Sequence, residues 1–369
     1  MFLPAASMSA IIDNKIPKES TIRLLGDHLR GQHRWADPGV PVIVGGRVEI
    51  AGTPDEAAVV TFAPGLDLRF DSDGYVNVGY YDPGVLVAVG SAERPIRFTS
   101  YEGRGAGAWR GVSLYKHASA TFAHVVFEHG ARYVDRGVLY ANSEAELSLR
   151  EVTFRDNRAG VVLYHDAIRL REFEGVRYVR TPRPLKVDPE VFGALGGRND
   201  FGGERVLLDE GIIERDTTWR DPGVDVEARG PIGVDGATLR IDGGFNLVVR
   251  DGFGLEVGKQ ASAGLEIMGG DAPVTITGLN DRRGTWDSIH LYAGEAPQES
   301  TIRGLRLRNA GGDAAIVAHG GALVSVADVV CDRCFSPTLS WECGARVDAS
   351  KIEATNGTPR AILEPSCGG

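Results

Sequence analysis

Apolar and polar residues alternate along this chain in runs of four to six, as in Ala120-Thr121-Phe122-Ala123-His124-Val125 and Thr238-Leu239-Arg240-Ile241. A period of two sends successive side chains to opposite faces of a strand. Gly, Asp and Asn separate the runs, as expected where sharp corners need positive φ. No long window shows a clean period of 3.6 residues with caps; only Ser20 to Arg30 leaves room for a short helix. The pattern predicts an all-β chain.

The strands repeat. Ala322-Leu323-Val324-Ser325-Val326 superposes on Ala345-Arg346-Val347-Asp348-Ala349 at a shift of 23 (345 − 322), with Val329 on Ile352 and Ile316 on Leu339. In the first half, Gly111-Val112-Ser113-Leu114-Tyr115, Gly137-Val138-Leu139-Tyr140 and Gly160-Val161-Val162-Leu163-Tyr164 read as one column. Phe127, Phe154 and Tyr178 form another, at steps of 27 (154 − 127) and 24 (178 − 154). A larger duplication overlies this. Trp35-Ala36-Asp37-Pro38-Gly39 returns as Trp219-Arg220-Asp221-Pro222-Gly223, and Trp109 with Leu114-Tyr115 returns as Trp286 with Leu291-Tyr292.

Propeller blades need about 40 residues per repeat, and the fixed Leu/Asn signature of leucine-rich repeats is missing. A parallel β-helix remains, with coils of about 23–25 residues and each strand pairing with its copy one coil away at about 4.8 Å. Its inward columns are expected to include Val112/Leu114, Leu139, Val161/Leu163 and Val324/Val347. Residues 1–20 read as an N-terminal extension, 21–204 as the first β-helix half and 205–369 as the second. The Pro- and Gly-rich stretch from Thr181 to Glu204 reads as a looped coil, so one continuous solenoid is preferred to two domains.

Several motifs also resemble a family. Asn199-x-Phe201-Gly202-Gly203, Thr217-Thr218-Trp219 and Pro222-Gly223-Val224 lie in the second copy. The first copy carries Pro95-Ile96-Arg97-Phe98-Thr99-Ser100, Trp109-Arg110-Gly111-Val112, Leu86 to Ser91 and Val125 to Gly130. Together they are similar to bacterial extracellular right-handed parallel β-helix repeat proteins of the pectate-lyase-like solenoid superfamily, over nearly all the chain from about residue 30. The second copy departs from the pattern at Met268-Gly269-Gly270 and Thr277-Gly278. The resemblance implies a right-handed solenoid on the cell surface, in the periplasm or outside the cell. It also implies polysaccharide lyase or hydrolase activity as an alternative to a structural role.

Composition narrows the classes. At 43% hydrophobic and 24% charged residues, with 49 Gly among 369, the chain can bury a sizeable core. A net charge of −10 argues against a nucleic-acid partner, which needs clustered excess Lys and Arg. No run approaches the roughly 20 apolar residues that span a bilayer, so an integral membrane protein is not expected. The opening MFLPAASMSAII lacks a basic n-region and contains Pro4, so it does not read as an intact signal peptide.

Candidate chemistry is sparse. Lys116-His117 and His165-Asp166, with Arg110 nearby, would gather cationic and basic groups about two coils apart, as uronate elimination requires. Solvated corners are the plainer reading of these residues. Asp71-Ser72-Asp73-Gly74 opens like a calcium loop but lacks the distal ligands, so Asp71 and Asp73 read more simply as a turn, with Ca²⁺ as the sole cofactor candidate. Trp109 and Trp286 are expected to fill the coil interior. If Leu114, Leu139 and Leu163 point inward, Tyr115, Tyr140 and Tyr164 would stack outward about 5 Å apart, with Tyr292 repeating the slot. Such a strip suits a sugar face or a surface protein. The expected function is a non-enzymatic structural, adhesive or glycan-binding module. The alternatives are a polysaccharide lyase or glycoside hydrolase, and a subunit of a larger surface assembly.

All four cysteines, Cys331, Cys334, Cys343 and Cys367, lie between residues 331 and 367, which favours local disulfides and an exported protein. Free thiols and a four-cysteine zinc site are the rivals, and zinc is disfavoured because Cys343 and Cys367 form no second close pair in sequence. Their separation of 24 (367 − 343) is one coil, which brings two Cα atoms to about 4.8 Å, within disulfide range. Non-reducing peptide mapping is therefore expected to recover Cys343 and Cys367 in one linked peptide pair; finding them unlinked removes the staple.

Overall fold

A computed structural model describes residues 1–11, 15–103, 105–165 and 167–365. Among the described residues the alternating segments are strands joined from coil to coil by parallel ladders, and the chain is a parallel β-helix. It divides into two compact units, Met1–Val187 with Ala194–Glu204, and Asp188–Gly193 with Arg205–Gly369.

Each coil of the first unit supplies three strands. One ladder stacks Val42–Ile50, Tyr75–Val78, Gly111–Leu114, Leu139–Asn142, Val161–Tyr164 and Leu185–Val187. A second stacks Ala58–Phe62, Gly84–Val89, Ala118–Ala123, Glu146–Arg150 and Arg169–Glu174. A third stacks Asp67–Phe70, Ile96–Ser100, Val125–Glu128, Thr153–Arg155 and Arg177–Val179. In the second unit a separate seven-stranded ladder, which takes the place of the first ladder in the sequence duplication, stacks Gly211–Ile213, Ile232–Val234, Leu255–Val257, Ile289–Leu291, Ile316–Ala318, Leu339–Trp341 and Ile362–Leu363. There the other two ladders fuse into ten-residue strands, Glu299–Arg308, Leu323–Asp332 and Arg346–Thr355, each bent at a residue of positive φ (Gly304, Asp328, Lys351).

The interior is a set of like-on-like stacks. Phe70, Phe98, Phe127, Phe154, Tyr178 and Phe201 follow one another with ring centroids 4.8–6.1 Å apart, and Trp109 caps Phe70 at 4.2 Å. Register sets this spacing, since Phe98, Phe127, Phe154 and Tyr178 are direct partners on adjacent strands. All four tryptophans of the duplication, Trp35, Trp109, Trp219 and Trp286, are buried, as expected of interior residues. The Asp-Pro-Gly corner is also built twice: Gly39 and Gly223 each donate their N–H to the Asp two residues earlier, at 2.9 and 2.8 Å, and both have positive φ.

One buried charge is fully clamped. Glu128 sits at the end of its strand beneath Arg97 and Arg155, which donate to its two oxygens. Burial alone would raise its carboxyl above the usual range, but the hydrogen bonds and charges of Arg155 and Arg97 outweigh this and hold it below.

Several expectations change. Ser20 to Arg30 is not helical: Ile22–Leu29 is a strand that buries Ile22, Leu24 and Leu29 against Val42–Ile50. The stretch from Thr181 to Glu204 contains the strand Leu185–Val187 and one turn of helix, Pro189–Phe192, capped by Asp188. Side-chain contacts also tie down the loop from Asp281 to Gly284. Arg283 donates to the carbonyls of Cys334 and Gly357, and Asp281 pairs with Arg308 and Arg333. In the Tyr140 coil the register is offset by two residues. Val112, Leu139 and Val161 are partners, as are Leu114, Ala141 and Leu163, so Leu139 does not share a column with Leu114 and Leu163. Val112 and Val161 each follow their glycine directly, whereas Val138 intervenes between Gly137 and Leu139, so Leu139 takes the place of Val112 and not of Leu114. Val347 is only half-buried, because its strand has a described neighbour on one side only.

Cys331 and Cys334 form a disulfide across the positive-φ corner at Arg333, and both are buried. Their sulfurs are therefore not zinc ligands. Cys367 lies outside the described residues.

Val161 and Leu163 are both buried, with neighbours from the coils on either side. Leu163→Ala should leave a cavity that neither flanking coil can close. Urea denaturation is expected to show a loss of about 2–5 kcal/mol.

Candidate functional site

Outward residues of the first ladder form polar columns. Arg47, Tyr75 and Gly111 are partners in one, and Glu49, Asn77 and Ser113 in the next. Gly111 has a φ of +132°, and a Cβ there would lie 2.6 Å from the Val138 carbonyl oxygen, so glycine lets the following coil's backbone close against this floor. Two non-repeating segments raise walls beside it. Residues 79–83 carry Tyr80 and Tyr81, and the loop before Leu139–Asn142 carries Tyr133 and a single 3₁₀ turn, Val134–Arg136. Gly79 is required at the start of the first wall: its φ is +67°, and a Cβ there would lie 2.3 Å from the backbone nitrogen of Ala118. The result is a groove of about 530 Å³, lined by the guanidinium groups of Arg47, Arg110 and Arg136 and by five tyrosines.

Contacts between these groups hold the walls. Arg110 lies 4.8 Å from the ring centroid of Tyr75 and 5.8 Å from that of Tyr133, and it pairs with Asp73 at 3.3 Å. Arg136 donates to the Tyr115 hydroxyl at 3.2 Å and lies over the Tyr140 ring at 5.4 Å. Tyr80 packs edge-on against both Tyr81 and Tyr115, at 4.3 and 4.6 Å. The hydrogen bond with Tyr80 raises the Tyr81 hydroxyl above the ordinary phenol range, so it stays a neutral donor at physiological pH. Beneath the floor, buried Glu49 accepts from Asn77 at 3.2 Å and lies 3.9 Å from Arg47. Among the described residues, no carboxylate or imidazole lines the groove.

This arrangement is suited to binding. Guanidinium groups offer paired donors in a fixed fork to carboxylate or sulfate. Tyrosine faces take the apolar side of a sugar ring, and their hydroxyls meet its edge. Glycoside hydrolysis commonly uses two carboxyl groups flanking the bond, and the groove presents none.

The residues singled out in sequence separate into different places. Arg110 and Tyr115 line the groove. Lys116 instead pairs with Glu144 at 3.0 Å, His117 is exposed, and His165 is an exposed positive-φ corner packed edge-on against Tyr164. Asp166 lies outside the described residues. Asp71 and Asp73 close a turn: Asp73 N–H donates to Asp71 Oδ1, and the two carboxylates face Arg23, Arg110 and Arg132. Among the described residues, no group of three or more His, Cys, Asp or Glu is placed to hold a metal ion.

The expected tyrosine column is also redistributed. Tyr115 and Tyr164 share a column with Asn142 between them, while Tyr140 pairs with Ser113 and Val162. Tyr140 and Tyr164 still stack at 6.4 Å. In the second unit Tyr292 stacks on His319 at 4.0 Å. Sequence reasoning missed Arg47, Tyr75, Tyr80, Tyr81, Tyr133 and Arg136, most of which come from walls that do not repeat. The Tyr80-Tyr81 pair at a corner was the one signal available.

Comparison with protein-family models, with curated proteins and with solved structures returned no match. Among the described residues, no helix is long and apolar enough to cross a membrane.

Tyr140 lies outside the groove lining, half-buried between Arg136 and Tyr164. Tyr140→Ala is expected to lower the melting temperature through a loss of about 1 kcal/mol of cross-strand contact, which calorimetry can measure.

Proposed function

We propose that this protein is a glycan-binding β-solenoid whose groove holds a segment of an acidic polysaccharide, with the protein acting outside the cytoplasm. The observation carrying this reading is the juxtaposition of three guanidinium groups with five tyrosines in one concavity of a chain whose net charge is −10. A local cationic aromatic site on an acidic protein favours an anionic ligand at the groove and repels it elsewhere. The absence of a lining carboxylate or imidazole among the described residues favours binding over hydrolysis. The Cys331–Cys334 disulfide is compatible with an oxidising compartment.

Calorimetric titration with a polyuronate, a sulfated glycan and a neutral glucan tests the reading. Binding is expected for the acidic polymers and should weaken as salt rises. Arg110→Ala and Tyr80→Ala should each weaken it about tenfold, which corresponds to about 1.4 kcal/mol. Equal binding of the neutral glucan, or no binding at all, overturns the proposal. If unsaturated or reducing ends appear with the wild type and are lost in Arg110→Ala, the groove is a lyase or hydrolase site instead.

A further inference from the structure

The outer face of the seven-stranded ladder in the second unit carries a chain of four titratable side chains. Asp287 Oδ2 lies 3.4 Å from His290 Nε2, His290 Nδ1 lies 3.1 Å from His319 Nε2, and His319 Nδ1 lies 3.0 Å from Glu342 Oε1. Backbone register assembles it. His290 belongs to Ile289–Leu291, His319 follows Ile316–Ala318 and Glu342 follows Leu339–Trp341, so three successive coils are joined. Tyr292 N–H donates to Val257, His319 N–H to Leu291 and Glu342 N–H to Ala318, at 2.8, 2.8 and 2.9 Å. That places Tyr292, His319 and Glu342 in one column and explains the flat Tyr292–His319 stack.

We infer that Asp287, His290, His319 and Glu342 form a proton-operated latch that closes when the two imidazoles together hold three ring protons. Two neutral imidazoles bring only two N–H groups. The three contacts need three, with donors facing Asp287 and Glu342 and one proton shared between the rings. The closed state is therefore one imidazolium charge spread over two rings and flanked by two carboxylates. Removing a proton empties one bond. Adding a fourth sets N–H against N–H across 3.1 Å and drives the rings apart.

The geometry excludes a shared metal ion in this arrangement. The ring centroids are 5.3 Å apart, so the facing nitrogens lie nearly on the line joining them. Metal–nitrogen bonds of about 2.0–2.1 Å each would not fit in line within the 3.1 Å gap. The surrounding titratable groups are Glu256, which is His290's ladder partner and is paired with Lys259, and the Tyr292 hydroxyl, which burial holds above the ordinary phenol range and so neutral. Gly320 N–H donates to the second oxygen of Glu342 at 2.9 Å. That bond and the one from His319 hold the Glu342 carboxyl below its ordinary value, so it remains the ionised acceptor the latch needs.

The sign of the pH dependence follows from the proton count. On this count the latch contributes fully where the pair holds three ring protons. As pH rises the shared proton leaves and the contribution is lost. As pH falls the fourth proton enters and the contribution is lost again, giving a maximum rather than a slope.

The experiment is a double-mutant cycle on the full chain, with His290→Gln, His319→Gln and the double variant melted between about pH 5 and pH 8.5, a range spanning ordinary imidazole titration. The coupling between positions 290 and 319 is expected to peak near the middle of the range and to fall several-fold at both ends. Coupling that is flat or monotonic with pH overturns the latch. Nitrogen NMR of histidine-labelled wild-type protein gives a second readout that needs no variant. Three protonated ring nitrogens over the pair at neutral pH support the inference; two or four refute it.

Discussion

Parallel, in-register stacking of successive coils is the constraint on which everything else depends. Each residue in a ladder meets its counterparts one coil above and below, at roughly the strand spacing of about 4.8 Å. An interior position must therefore hold a side chain that packs well against its like. Flat rings meet this demand, and the stack from Phe70 to Phe201 results. The same constraint governs polar groups. Asn157 reaches one coil back, donating to the Phe127 carbonyl and accepting from Gly130 N–H, so it satisfies backbone groups that would otherwise be buried without partners. Insertions are tolerated only where the chain leaves the ladders, which is where the groove walls arise.

Corners show how strongly the ladders dominate local preference. Positive φ falls at His124, Glu151 and Gly175 on successive coils, and again at His129, Asp156 and Arg180. Five of these six residues carry a side chain, although that backbone region costs an L-residue roughly 1–2 kcal/mol. Ladder hydrogen bonds on both sides offset the cost. Glu151 N–H donates to Glu174 at 2.9 Å and Asp156 N–H to Val179 at 3.0 Å, each continuing the inter-coil pattern through the bend. The exposed side chains then pair across coils, as Arg180 does with Asp156. Gly is needed only where another backbone approaches closely, as at Gly79.

This accounts for what could be read from the sequence. The Phe127, Phe154 and Tyr178 column was legible because interior spacing follows coil length directly. The strand Ile22–Leu29 was harder, because its apolar positions suit either period until its partner Val42–Ile50 is known. The Tyr115, Tyr140 and Tyr164 column failed for a related reason. Matching the Leu-Tyr pairs assumed one register for all three coils, whereas Leu139 pairs with Val112 and Val161 rather than with Leu114 and Leu163, and only pairing reveals that offset. Of the groove, Arg110 and Tyr115 were visible beside repeated motifs. Tyr133 and Arg136 sit in a loop with no counterpart, so no periodicity could point to them.

The duplication separates what the fold demands from what it permits. Trp109 donates to the Glu128 carbonyl and Trp286 to the Arg308 carbonyl, both at 2.8 Å, so the interior hydrogen bond persists in both copies. Around that bond the outward charges are exchanged. Thr99, Glu128 and Arg155 are ladder neighbours in one unit, and Thr277, Arg308 and Asp332 are the corresponding neighbours in the other. A salt bridge survives exchange of its partners because Coulomb attraction depends on opposite signs, not on which coil carries which. The outward face of the first ladder and its counterpart diverged further. The positions of Ser113 and Tyr115 beside the groove correspond, at a shift of 177 (290 − 113 and 292 − 115), to His290 and Tyr292. One copy has surrounded that face with non-repeating walls and arginines, while the other has kept it open and crossed it with imidazoles and carboxylates. Interior positions are fixed by stacking and offer no such freedom. New chemistry in this chain therefore had to arise on the outer columns, where a side chain must satisfy its neighbours on adjacent coils but not a packed core.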